Sequence, residues 1–198
     1  MFVPILLLVV AAHAAAAPPL SGGVPPVAPL VSIVSPADGF ATNAATLGVV
    51  VSFEAKDDGR GNVQDVDLLR DGAVVGTFRN APQEKHGTHV FETDLSSLPE
   101  GVYVFRAEAY QGDRRAGLRG VSGEVRVVLD RTPPEISDLL PPAAAILGTA
   151  RPTISASYVD EGAGVDAASV VLTLAGSDVT AQSSVTAGGV SFTPVSDL

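Results

Sequence analysis

Two short acidic stretches come closest to a chemical site. Residues 57–61 read DDGRG, and residues 160–164 read DEGAG, 103 positions further along. Closely spaced carboxylates suit a hard cation, and calcium gathers about six to eight oxygens around itself. Asp57, Asp58 and Asp65 in one stretch, and Asp160, Glu161 and Asp166 in the other, supply only part of such a shell. Neither stretch continues into the ligand ladder of an EF-hand with its closing Glu. Gly and Asp are also what a tight turn needs, one for backbone freedom and the other to accept nearby N–H groups. A turn drawn twice is therefore the favoured reading. Calcium at Asp57, Asp58, Asp160 and Glu161 is the weaker expectation, and no other cofactor is expected.

The remaining candidates are thinner. KHGTH (85–89) holds His86 and His89 at a spacing that would suit a helix, but it falls where a loop enters a strand. No third ligand is near, so both histidines are expected to be exposed. QGDRRAGLRG (111–120) gathers Arg114, Arg115 and Arg119 in an otherwise acidic chain. A solvated loop is the plain reading; a contact site for an acidic partner, such as a polysaccharide or another surface protein, is the sharper one. The chain has no G-x-S-x-G elbow, no H-E-x-x-H and no Gly-rich phosphate loop. Its acids cluster at turns, where solvent keeps carboxyl pKa values ordinary. With no Cys there is no thiolate site and no disulfide. The reading is non-enzymatic.

Charge narrows the partners. Twelve basic against 22 acidic residues give a formal charge of −10. A surface of that sign argues against nucleic acid and against anionic membranes.

The elements that would carry these residues read as strands. The chain is 46% hydrophobic but only 5% aromatic, with 20 Gly and 15 Pro. Val, Ala and Thr carry the apolar load, which favours strands punctuated by turns. The N-terminus, MFVPILLLVVAAHAAAAPPL, has an apolar run at 5–12 that is too short to span a bilayer, followed by A-x-A sites. It predicts a signal peptide over 1–16, removing His13, although no Lys or Arg precedes the run. Residues 17–30 form a Pro/Gly linker. Seven strands are then expected, at 31–34, 46–55, 63–70, 73–78, 88–94, 102–110 and 122–130. Leu47, Val49, Val51, Phe53 and Ala55 share one face; so do Tyr103, Phe105, Ala107 and Ala109, with Arg106 and Glu108 opposite. Asp71-Gly72 sits between two apolar runs as a hairpin turn.

DRTPPEI (130–136) interrupts the pattern, since two prolines prevent a continuous ladder. After it the sequence repeats. RPTISASYVDEGAG (151–164) parallels VVVSFEAKDDGRG (49–61), ASVVLTLAGSDVTA (168–181) parallels QDVDLLRDGAVVGT (64–77), and GVSFTPVSDL (189–198) parallels HVFETDLSSL (89–98). The second copy stops before the counterparts of the last two strands. The expectation is a natural chain that continues past Leu198, or a fragment whose missing strands come from elsewhere.

These pieces carry a likeness. The acidic-Gly loop, the hairpin x-D-G-x-x-V-G, L-P-x-G before an alternating strand and the D-x-T-P-P-x-I junction resemble bacterial immunoglobulin-like domains, which occur in tandem in secreted and surface proteins. The resemblance implies an all-β fold of tandem β-sandwiches, one over 31–130 and a second, truncated one over 131–198. It also implies a non-catalytic spacer or adhesive role at the cell surface or outside the cell. The alternative it leaves open is an accessory region of a larger secreted enzyme, such as a protease or polysaccharide hydrolase.

Overall fold

The computed structural model describes residues 26–57, 59, 61–81, 84–112 and 117–198. The expected signal peptide and most of the linker lie outside them, as do Asp58, Arg114 and Arg115.

The fold is all-β. Among the described residues, nine strands build the first unit: β1 (Leu30–Ser35), β2 (Phe40–Thr42), β3 (Thr46–Glu54), β4 (Val63–Arg70), β5 (Ala73–Arg79), β6 (His86–Asp94), β7 (Gly101–Gln111), β8 (Leu118–Val121) and β9 (Val125–Leu129). One sheet has the order β1-β3-β6. The other runs β2-β9-β7-β4-β5, with β8 alongside the far part of β7. Residues alternating along β3 point inward, so Leu47, Val49, Val51, Phe53 and Ala55 are all buried. They meet Val66 and Leu68 of β4, Phe105, Ala107 and Ala109 of β7, and Val125, Val127 and Leu129 of β9 in one core. Each Val, Leu or Phe among them contributes about 1.5–3 kcal/mol when fully buried.

Two strands go beyond the seven expected. The chain leaves β1 antiparallel to β3, crosses, and re-enters the other sheet as β2, parallel to β9. Asp38 fixes that crossing. Its Oδ1 accepts the backbone N–H of Arg126 at 2.8 Å, and its Oδ2 takes the guanidinium at 2.6 Å. Arg126 holds the Asp38 carboxyl well below the usual carboxylate range. The second addition, β8, occupies part of the stretch read as a loop at 111–120; it pairs Tyr110 with Arg119 and Glu108 with Val121.

After the Pro133-Pro134 junction come β10 (Glu135–Leu140), β11 (Ile154–Val159), β12 (Thr173–Leu174), β13 (Ser177–Asp178), β14 (Ser184–Val185) and β15 (Gly189–Phe192). The order β10-β11-β15 reproduces β1-β3-β6. Even the register repeats: Val51 lies opposite His89 and Ile154 opposite Phe192, and the same shift carries Phe53–Gly87 to Ala156–Val190. Both first strands also carry a register shift before a proline.

The counterpart of the β4–β5 hairpin departs from expectation. Its turn is kept, Ala175-Gly176 at φ 49° and 81° against Asp71-Gly72 at 50° and 82°. Its strands shrink to β12 and β13, and a short 3₁₀ turn, Ala167–Ser169, precedes them. The inner face of the repeated sheet is accordingly only half covered at Ile154 and Ala156, and Ile136, Leu139 and Ile146 are exposed.

Candidate functional site

The two acidic loops are fixed in different ways. In the first, Asp57 Oδ2 accepts Lys85 Nζ at 2.7 Å on the surface. Gly59 and Gly61 take φ of 78° and 86°, a region that only glycine occupies without strain. The loop is pinned from below by Gln111, which is fully buried at the end of β7. Its Nε2 donates to Lys56 O at 2.6 Å and Gly61 O at 2.9 Å, and its Oε1 accepts Lys56 N–H at 3.0 Å. Asp65 stands apart on β4, opposite Tyr110 in the ladder.

In the second loop Asp160 Oδ1 accepts the N–H groups of Gly162 at 2.9 Å and Gly164 at 3.2 Å, a turn closed by its own carboxylate. Glu161 is exposed. Asp166 caps the following 3₁₀ turn by accepting Ala168 N–H. The middle amide, Ala163 N–H, goes to Asp130 Oδ2 at 2.6 Å, from the end of the first unit. That bond, and then the Thr132 N–H, hold the Asp130 carboxyl below its ordinary range. Among the described residues, no group of three or more His, Cys, Asp or Glu side chains is arranged to hold a metal ion.

Acids are not confined to turns. Asp67 and Glu108 lie side by side in adjacent strands, and both are buried. Thr77 Oγ1 donates to Asp67 Oδ1 at 2.7 Å, and Tyr110 Oη donates to Glu108 Oε2 at 2.6 Å. Burial, then the bond to Glu108, push the Tyr110 phenol up to about 12. Arg119, exposed on β8, reaches Glu108 Oε1 at 3.4 Å. Of the three arginines read as a contact site, it is the one described, and it stands in a strand, tied to an acid. The row is a cross-strand network that ties the sheet together.

The histidines divide as a strand requires. His86 is exposed at the start of β6. His89, expected to be exposed, stacks on Phe78 at 4.0 Å between ring centroids and meets the edge of Phe91 at 4.7 Å. It closes the gap between the edge strands β5 and β6, and burial lowers its pKa. His86 instead borders an open trough of about 740 Å³ with Leu30, Ser32, Ser52, Glu54 and Thr88. A shallow surface of this kind, mostly apolar through Leu30, Val31 and Phe53, suits contact better than enclosed chemistry.

Two structural residues were missed from sequence. Gln111 reads as one polar residue among many before a loop. Tyr103 sends its Oη back to Pro99 O at 2.7 Å, four residues upstream. That is the tyrosine corner of immunoglobulin-like sandwiches, and its signal was L-P-x-G shortly before an aromatic. Among the described residues, every buried side-chain nitrogen and oxygen has a partner, and no helix is long and apolar enough to cross a membrane. No curated protein matches the chain, and no solved structure does. Residues 29–107 match the family described as bacterial Ig domain, and with the sandwich topology and the tyrosine corner this makes the first unit a bacterial Ig-like domain.

Proposed function

We propose that the chain is a non-catalytic structural and interaction module of a secreted or cell-surface bacterial protein, serving as a spacer or adhesive element. The observation that supports this best is the repeat itself. The β1-β3-β6 sheet recurs as β10-β11-β15 in the same order and register, joined by a short Pro-Pro connection. Side-by-side repetition of one unit extends a chain in space. The polar groups that could act chemically are engaged in holding strands and turns, as Glu108 and Asp160 are. What remains for recognition is surface: the trough beside His86 and the hairpin that carries Arg119. Other protein domains and surface polysaccharides are the proposed partners.

The test has two arms. Intact mass of the protein recovered from culture medium and cell envelope should show a start near Ala15 or Ala17; a chain retained in the cytoplasm with Met1 in place would sink the secreted reading. Binding to panels of bacterial surface glycans and envelope proteins should fall when Arg114, Arg115 and Arg119 are replaced together by Glu. Unchanged binding would remove that hairpin as the contact.

A further inference from the structure

We propose that Asp130 is a latch that fixes the angle between the two repeats, and that hydrogen bonds around it, more than Pro133 and Pro134, make the pair stiff. The latch deepens the spacer reading, and three sets of contacts carry it. On the side of the first repeat, the junction is splinted to the turn before β7. Glu100 Oε1 accepts the Arg131 N–H at 2.7 Å, and Glu100 Oε2 accepts the Thr132 hydroxyl at 2.9 Å. The Arg131 guanidinium donates to Leu98 O at 3.0 Å and Leu95 O at 2.8 Å. Residues 131 and 132 are thus bound to the first domain and not free to swing as a linker.

The second set crosses the junction. Asp130 Oδ1 accepts Thr132 N–H at 3.0 Å, which orients the carboxylate, and Oδ2 accepts Ala163 N–H at 2.6 Å. A carboxylate on backbone amides makes a strong, charge-assisted bond. One end of the bond lies just past the last strand of the first repeat, the other in the acidic loop of the second.

The third is shape. A Cβ on Gly162 would lie 2.3 Å from Asp130 Oδ2, so only glycine lets the loop approach that closely. The glycine at the matching place in the first loop, Gly59, has φ 78° and nothing within 4 Å of where a Cβ would be. The two loops share a glycine for different reasons: backbone conformation in one, room for a neighbour's carboxylate in the other. The prolines cannot replace this arrangement, because a proline fixes its φ and leaves its ψ to the surroundings. Small interfaces between domains are mobile unless something holds them.

The chain has no Cys, so a spin-label pair can be introduced cleanly in the full chain at Ala73→Cys and Ala187→Cys, both exposed positions. Pulsed dipolar spectroscopy should give one narrow distance peak. Asp130→Ala should lose that peak to a broad distribution. Gly162→Ala should lose it too, although it leaves every hydrogen-bonding side chain in place, and it serves if Asp130→Ala proves unstable in thermal melts. Pro133→Gly with Pro134→Gly should keep the peak centred and broaden it less than Asp130→Ala. A broad wild-type distribution, or a narrow peak that survives Asp130→Ala and Gly162→Ala, would overturn the latch. Loss of the peak only in the proline variant would also overturn it. Such failures would leave the spacer reading standing as a flexible tether, whereas cytoplasmic retention would sink that reading without changing any distance.

Discussion

Replacing Gln111 with Leu isolates what holds the first acidic loop. The leucine fills much of the same buried space but removes at least three hydrogen bonds at once. It leaves the Lys56 N–H and the carbonyls of Lys56 and Gly61 without that partner. An unsatisfied group costs about 1–3 kcal/mol when water is excluded, and less where the loop can open to solvent. Lys56 is half-buried and Gly61 exposed, so part of the loss is recovered. Adding one full penalty for the Lys56 amide to partial ones for the two carbonyls gives about 2–4 kcal/mol. That is a large share of the roughly 5–15 kcal/mol that holds a domain. Denaturant unfolding followed by far-ultraviolet circular dichroism should show a lowered midpoint with the slope unchanged, as expected when the native state is the one weakened. A loss below about 0.5 kcal/mol, the scale of an ordinary surface change, would refute the claim that this side chain pins the loop.

Four further outcomes are expected. His89 has a lowered folded pKa because burial between Phe78 and Phe91 disfavours its charge, so the unfolded chain takes up the proton first. Stability should be full above about pH 6.5 and fall as pH drops below it, and thermal melts of His89→Phe should lose most of that slope. Tyr110 titrates near 12, so absorbance near the phenolate band should show a late step among the three tyrosines, absent in Tyr110→Phe. Stability should correspondingly decline above about pH 10, where the unfolded phenol ionises first. Ala175 holds φ 49° in a turn that favours Asn, and Ala175→Asn should stabilise the second repeat by about 0.5–1 kcal/mol in melts. Melting in calcium and in chelator should coincide, because among the described residues no three or more His, Cys, Asp or Glu side chains are grouped to hold a cation; a clear rise with calcium would reverse that view.

The elements legible in sequence were those whose burial is dictated locally. Alternation along β3 and β7 forces one face inward, and Val49, Val51, Phe105 and Ala107 are fully buried as the pattern requires. The repeat was legible for the same reason, although its third parallel was misaligned: Gly189–Phe192 answers to residues 86–89, three before the stretch matched to it by sequence. What escaped depends on distant partners. β2 exists because Asp38 meets Arg126, 88 residues away. β8 has no alternating pattern and forms because it lies against β7, with Gly120 passing under the backbone of Pro29. The reverse error occurred at 168–174, where ASVVLTL has strand composition but makes only the two-residue β12. Propensity makes a strand only where a neighbouring ladder receives it. His89 was expected to be exposed, and the buried Asp67 and Glu108 escaped a reading that put the acids at turns, because alternation tells which face a residue joins, not whether side chains on that face cover one another.

The acidic loops show why the candidate site was harder to read than the fold. Their sequences match closely because both reverse the chain between the same two strands of a repeated unit. A ligand site would have to leave carboxylate oxygens converging on an empty point. Here Asp57 Oδ2 faces Lys85 and Asp160 Oδ1 faces the loop's own amides, while Glu161 is exposed. The residues that distinguish the loops lie outside the matched pentapeptides. Gln111 holds the first loop from inside its own domain, and Asp130 holds the second from the domain before it. The two loops therefore share a turn but not its support, which is a buried side chain in one and a carboxylate from the preceding unit in the other. A repeat whose loop is steadied by the preceding repeat is better placed to transmit position along the chain than one that folds in isolation.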